Sequence, residues 1–171
     1  MALKADRNEL DVDISFFYNG SAVEKGCVVS IANSPYGSGA AMDQANAQVA
    51  VKQGAAGVIP VGVLLNDVVD IDLTRQHINW HKDEVQKGGK VTLLTQGNVV
   101  TNMIYPGDTP TAGGLAYVAH SGYIAAANKD STLGQASVVG RFISTKDEDG
   151  YVKVAINLPN NNIIPTAATQ F

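Results

Sequence analysis

The sequence predicts an all-β fold, either a small β-barrel or a β-sandwich, with about eight to ten short strands and extended N- and C-terminal arms. Valine and isoleucine occur in short alternating runs, a pattern typical of strands. Glycine, asparagine and aspartate interrupt these runs at intervals of about ten residues, the spacing that barrels and sandwiches show. We find no alternation of strand and helix patterns that would indicate parallel βαβ units.

The chain has 171 residues, which is the length of one domain. We predict a single β domain over residues 13–158, with an N-terminal arm over residues 1–12 and a C-terminal arm over residues 159–171. The apolar residues of the arms are too sparse to build a core: Leu3, Leu10, Ile163, Ile164 and Phe171. We therefore expect both arms to be ordered by neighbouring subunits and not by their own domain.

The first half of the chain contains four predicted strands, over residues 13–18, 26–32, 47–52 and 57–65. Pro60 indicates an edge position or a bulge in the last of them, because proline cannot donate to a strand ladder. Residues 69–73 alternate between apolar and polar side chains and predict a further strand. A polar excursion follows over residues 75–89, and we expect residues 87–89 to form the turn that ends it.

The second half contains predicted strands over residues 90–95, 98–104, 115–119, 123–127, 136–144 and 151–158. Gln96-Gly97 is expected to turn the first pair into a hairpin, and residues 120–122 the second pair. The acidic segment 146–150 is the clearest turn signal in the chain. The last strand is expected to place Val152, Val154 and Ile156 on one face.

Composition and charge exclude several classes of protein. A net charge of −4 and a pI near 5.2 argue against nucleic acid as the partner. The sequence lacks the run of about 18 apolar residues that a membrane span needs, and residues 1–14 lack the apolar region of a secretory signal. Charged residues are 16% of the chain, below the usual share of about 25%. This indicates a neutral surface suited to contact with other protein.

The residues that usually carry chemistry do not form a recognisable catalytic or metal site. His77 and His81 have the spacing of a zinc-protease motif, but Ile78 stands where that motif needs glutamate. The acids between residues 67 and 72 lack the spacing of a calcium loop. Cys27 is the only cysteine, which excludes an intramolecular disulfide, and its apolar neighbours predict that it is buried. We expect no enzymatic activity, no cofactor and no metal.

The polar excursion is the strongest candidate in the sequence for a protein–protein contact. Trp80 is the only tryptophan and lies in the most polar stretch of the chain. At an interface its ring can be buried while the indole N–H finds a polar partner. We predict that Arg75, His77, Trp80 and His81 bind a partner. The alternative is that Trp80 covers one end of its own barrel.

Two parts of the sequence resemble the head decoration (cement) proteins of tailed bacteriophages. The stretch from Val58 to Asn102 combines VIPVGVLLNDVVDIDLTRQHINWHKDEV with KGGKVTLLTQGNVVTN, and the segment VVGRFISTKDEDGYVKVAI is similar to the closing hairpin of such proteins. The resemblance implies a small β-rich protein on the outer surface of the capsid, made in the host cytoplasm. It also implies two partners, the major capsid protein and the protein itself as a trimer or dimer, and a role in strengthening the shell against internal DNA pressure.

Two alternatives remain at this point. The first is another virion component with a similar composition and strand pattern, such as a tail or baseplate barrel. The second is a β-barrel module that binds a ligand or a metal. Such a metal site needs two or three histidines and an acid inside the barrel, and the chain has three histidines in all.

Overall fold

The computed structural model describes residues 2–31, 48–50, 59–70, 84–129, 135–158 and 163–165, and for residues 48–50, 135–137 and 163–165 the backbone alone. The strands are β1 (Asn8–Asp13), β2 (Phe17–Tyr18), β3 (Val28–Ile31), β4 (Gln48–Ala50), β5 (Pro60–Leu64), β6 (Asp67–Val69), β7 (Glu84–Gln86), β8 (Leu93–Thr101), β9 (Leu115–Val118), β10 (Ile124–Ala125), β11 (Gln135–Phe142), β12 (Val152–Asn157) and β13 (Ile163–Pro165). A single 3-10 turn within these ranges covers His120–Gly122.

The prediction of an all-β fold is confirmed, and the strands form a nearly closed, barrel-shaped sheet. Eleven strands share this sheet in the order β10-β9-β11-β12-β8-β5-β3-β4-β2, with β1 added on β8 and β13 on β11. Within the described residues its strand pairs are antiparallel, apart from β2 with β4. β6 and β7 form a separate parallel pair. The strands outnumber the eight to ten expected because several contain only two or three residues.

Both ends of the sheet return to the segments that flank β8. At one end, the amide of Ile124 in β10 donates to the carbonyl of Met103, 2.9 Å away, just after β8. At the other end, the amide of Tyr18 in β2 donates to the carbonyl of Gly89 at 3.1 Å, just before β8. Hydrogen bonds at both ends of one strand therefore bring the sheet close to a closed barrel.

The barrel contains two clusters of buried apolar side chains, which meet at β3, β5 and the start of β8. The pairs Val28–Val29, Val63–Leu64 and Leu93–Leu94 each place successive residues in different clusters. Successive side chains of a strand point to opposite faces, so this part of the sheet is buried on both sides. Burial on both faces explains why the sequence around β5 is a nearly continuous apolar run and not an alternating one.

Several predicted elements are confirmed. The hairpin of β9 and β10 encloses residues 120–122, and β12 buries Val152, Val154 and Ile156 on one face. Pro60 is the first residue of β5, beside a shift of register in the ladder with β3, so the expected bulge is present. The turn over residues 87–89 also forms, with the amide of Gly89 donating to the carbonyl of Gln86 at 2.8 Å.

The predicted hairpin around Gln96-Gly97 is wrong, because residues 93–101 form the single strand β8. Gly97 has a φ of 148°, and a Cβ at this position would lie 2.1 Å from the carbonyl oxygen of Asn8. Glycine is therefore needed here for the close approach of β1, not for a turn. The glycine therefore does mark a position that needs an unusual backbone conformation, but this position lies inside a strand and not in a turn.

β8 is paired along both of its edges. Leu94 pairs with both β1 and β5, whereas Gln96 pairs with both β1 and β12. Because a strand residue has only two edges, β5 and β12 share one edge of β8 and β1 occupies the other. The N-terminal segment, which we define as residues 2–13, thus covers an edge that no other described strand pairs with.

The prediction that the N-terminal arm is ordered only by a neighbouring subunit is wrong. Leu3 is 1% exposed and belongs to the larger apolar cluster. The buried hydroxyl of Thr101 donates to the carbonyl of Ala2 at 2.8 Å, and the amide of Lys4 donates to the carbonyl of Val100 at 2.9 Å. The segment packs on its own domain because the backbone groups of β8 need partners along this edge.

The C-terminal arm also contacts its own domain, contrary to expectation. Ile163 and Ile164 lie in β13, which pairs antiparallel with residues 135–137 of β11. Among the described strands, these residues of β11 pair with β13 alone, whereas residues 138–142 pair with β9 and β12. β13 therefore extends the sheet where β11 projects beyond its other neighbours.

A matched pair of leucine substitutions tests whether the N-terminal segment is part of the core. We expect Leu3→Ala to lower the free energy of unfolding by about 2–5 kcal/mol, since it leaves a cavity among buried side chains. Leu10→Ala removes the same atoms from a side chain that is 72% exposed, so it should change the free energy by less than about 0.5 kcal/mol. Denaturation by urea measures both. Equal effects would mean that Leu3 is not a core residue.

A glycine pair tests the contact between β1 and β8. Gly97→Ala and Gly107→Ala both place a side chain at positive φ, but an added Cβ meets no atom within 4 Å at Gly107. We expect Gly97→Ala to lower the free energy of unfolding by about 1–3 kcal/mol more than Gly107→Ala, because it also displaces β1. Thermal or urea unfolding gives the difference. Equal losses would contradict the close approach of Asn8.

Candidate interaction surface

β1 is an edge strand. It pairs antiparallel with β8, and no other strand in the described part of the chain pairs with it. The ladder shifts in register on either side of Asp11, so β1 carries a bulge at Leu10. A bulge bends an edge strand and increases its twist. The outer edge of β1 therefore presents backbone donors and acceptors that no strand within the described ranges pairs with, along a curved strand.

Three apolar side chains at alternate positions are exposed along this edge. Leu10 is 72% exposed, Val12 37% and Ile14, directly after β1, 63%. We call these three residues the apolar stripe. Single exposed apolar residues are common on protein surfaces, but three within five residues of β1 and its continuation concentrate apolar surface in one place, which is typical of an interaction site.

Acidic side chains accompany the apolar stripe. Residues 6–13 contain four acids, Asp6, Glu9, Asp11 and Asp13, and one base, Arg7. Arg7 forms an ion pair with Glu9, and the hydroxyl of Thr95 donates to the carboxylate of Asp11 at 2.9 Å. Four acids against one base leave a formal charge of −3 on this segment. The edge is thus apolar and negatively charged at once.

The start of the N-terminal segment is fixed to the turn between β11 and β12. The ammonium of Lys4 lies 3.4 Å from the carboxylate of Asp147 and 4.1 Å from the centre of the Tyr151 ring. The amide of Tyr151 donates to the Asp147 carboxylate at 2.7 Å. This hydrogen bond, followed by the interaction with Lys4, holds the pKa of Asp147 below its usual range. The segment that leads to β1 therefore makes an exposed ion pair with this turn, a weak contact beside the burial of Leu3 in the core.

A second surface feature lies at the turn between β9 and β10, which we call the aromatic cluster. The Tyr105 ring stacks on His120 with centroids 6.2 Å apart, and Tyr123 meets Tyr105 edge-on at 6.5 Å. Lys129 lies 4.8 Å from the centre of the Tyr105 ring and forms an ion pair of 2.6 Å with Asp108. These contacts hold the cluster in one arrangement, and tyrosine is enriched among the residues that dominate protein interfaces.

The structure separates the sequence-predicted partner-binding residues into four groups. Leu10 is exposed in the apolar stripe, whereas Leu3 is buried and cannot contact a partner in the folded chain. Ile163 and Ile164 lie in β13. The rest lie outside the described residues: Arg75, His77, Trp80, His81 and Phe171. Val12 and Ile14 are absent from the sequence-based prediction, although the alternation of LDVDI over residues 10–14 is a strand signal that contains them.

The described residues hold no group of three or more histidine, cysteine, aspartate or glutamate side chains placed to bind a metal. Cys27 is buried, as predicted, and burial raises the pKa of its thiol to about 12. The thiol therefore stays protonated near neutral pH and is a poor nucleophile. Among the described residues we also find no helix whose length and hydropathy would let it span a bilayer.

No protein-family model matches the chain, and no curated protein matches it. The resemblance to decoration proteins therefore stays a prediction from the sequence.

The hydrogen bond from the amide of Tyr151 to Asp147, followed by the contact with Lys4, predicts a specific dependence of stability on pH. The pKa of Asp147 is lowered in the folded state, so this carboxylate stabilises the fold above its unfolded pKa of about 3.9. That contribution disappears as the pH falls through the lower, folded value. We expect Asp147→Asn to lower the Tm at pH 7 and the difference from wild type to shrink steadily below about pH 4. Thermal unfolding monitored by circular dichroism checks this, and a difference that is unchanged at low pH would contradict it.

Proposed function

We propose that this protein is a structural virion protein that binds the outer surface of a tailed-phage capsid and stabilises the major capsid protein lattice against internal DNA pressure. The role is structural and not enzymatic. Its partners are the major capsid protein and further copies of the protein itself, as a trimer or dimer. It is made in the host cytoplasm and resides on the outside of the head.

The observation that carries the proposal is the apolar stripe on the unpaired edge of β1. Complete burial of an aliphatic side chain such as Leu10, Val12 or Ile14 contributes about 1.5–3 kcal/mol. In a protein without a partner, three such side chains exposed to water on an outer strand edge would favour aggregation. A protein whose task is to attach to a larger assembly needs such a surface.

Two further features support attachment to a shell. The N-terminal segment is held at one end by Leu3 in the core and contacts Asp147 through Lys4. A partner that binds at β1 is therefore attached to the folded barrel and not to a loose arm. The low share of charged residues, 16%, is suited to broad contact with protein. The polar excursion around Trp80 stays a predicted second contact.

The proposal is tested on heads purified from the encoding phage and lacking this protein. We expect the purified full chain to saturate the outer surface of the heads, seen by cryo-electron microscopy, and to raise the temperature at which the heads release DNA. Binding at the tail or baseplate would instead make the protein another virion component. The absence of binding to any part of the particle would overturn the proposal.

Substitutions in the apolar stripe give the quantitative prediction. The triple variant Leu10→Ser, Val12→Thr, Ile14→Thr should bind heads at least about tenfold more weakly, a loss of about 1.4 kcal/mol, because less apolar surface is buried on binding. Its melting should change little, since these residues are exposed. The matched control is Ile59→Thr with Ile143→Thr, two exposed isoleucines outside β1, and it should bind as wild type does. Equal binding by both variants would exclude the apolar stripe as the contact.

A further inference from the structure

The outer edge of β1, which no described strand pairs with, suits a partner with a backbone of its own. An unpaired strand edge presents amide donors and carbonyl acceptors in a row, and another extended chain matches this row most completely. β1 has six residues, which gives about 20 Å of strand at about 3.3 Å per residue. A segment of about six or seven residues is therefore enough to occupy the whole edge.

The charge of the edge argues against a second copy as the occupant. In a strand pair formed by two copies of β1, the acids of one copy would lie beside those of the other, and like charges on facing strands are destabilising. Residues 6–13 carry four acids and one base, and a register that separated the acids of the two copies would instead place them opposite the apolar stripe.

The same features fit one kind of partner. The apolar stripe needs apolar side chains opposite it, and the acids need bases between them. We propose that the edge of β1 binds, as an added strand, an extended segment of a different protein in which apolar residues alternate with lysine or arginine. The inference deepens the proposed function and rests on it for the identity of the partner, which is then the capsid protein, but not for the chemistry of the segment.

The test uses synthetic peptides and the full-length protein. The probe is a heptapeptide of alternating lysine and valine. Its controls replace lysine by glutamate, replace valine by serine, or carry an N-methyl group on every residue, which removes the backbone donors and keeps the side chains. We expect the lysine–valine peptide to bind at least about tenfold more tightly than each control, measured by calorimetry at low and at physiological salt. Equal binding of the N-methylated peptide would overturn the pairing of backbones.

A charge-reversal variant provides the matched control on the protein side. Asp6→Lys with Glu9→Lys changes the formal charge of residues 6–13 from −3 to +1, because two acids and three bases then remain. Both side chains are exposed, so folding should be unaffected, and circular dichroism checks this. The variant should prefer the glutamate–valine peptide over the lysine–valine peptide, the reverse of wild type. An unchanged preference would overturn the role of charge.

The outcomes distinguish this inference from the proposed function. Suppose that heads bind the protein, but that no peptide binds selectively and the apolar-stripe variant binds heads as wild type does. The proposed function then stands and this inference fails. If the lysine–valine peptide binds selectively but no head binds the protein, the chemistry of the edge stands and the capsid is not the partner. If the apolar-stripe variant instead converts an oligomer to a monomer in sedimentation, β1 is a contact between copies and the inference is wrong.

Discussion

The pairing of both edges of β8 is the constraint on which the rest of the structure depends. This nine-residue strand passes between the two apolar clusters, and every buried backbone group along it needs a hydrogen-bond partner. One unpaired buried group costs about 1–3 kcal/mol. β5 and β12 satisfy one edge and the N-terminal segment satisfies the other. A single strand thereby joins the two halves of the barrel and fixes the start of the chain.

The same constraint explains the placement of the candidate interaction surface. Among the strands that the structure describes, β1 pairs with β8 alone, so its other edge faces away from β8, and the bulge at Leu10 bends it there. The surface is thus a consequence of a core requirement. The exposed side chains of this surface can be substituted without disturbing the packing of the core. The position of the surface is set by buried residues such as Leu3 and Thr101.

The local features of this fold are predictable from the sequence, and the long-range ones are not. Alternating residues such as Val152, Val154 and Ile156 define β12 by themselves. Gly97 has the local signal of a turn because its role depends on Asn8, which lies far away along the chain and leaves no mark nearby. For the same reason Leu3 has the appearance of an arm residue. Sparse apolar residues in a terminal segment do not reveal that a distant strand has an open edge to receive them.

The candidate surface is predictable only in part. Leu10 is identified from the sequence as a partner-binding residue, but as a member of an arm outside the barrel. Val12 and Ile14 escape prediction because an alternating strand is normally interpreted as having its apolar face inward. Which side chains remain exposed depends on the neighbours of the strand, and those neighbours are set by the whole topology. The contact around Trp80 stays a prediction from the sequence.

The distance along the chain between the N-terminal segment and β8 has a consequence for synthesis. The hydroxyl that holds Ala2 belongs to Thr101, 99 residues later, so the N-terminal segment has no native site on β8 until β8 has followed it out of the ribosome. At about 5–20 residues per second this interval is roughly 5–20 s. During that time the apolar residues near the N-terminus are open to chaperones and to other nascent chains. The order of translation therefore separates the synthesis of β1 from its pairing, which has to wait for β8.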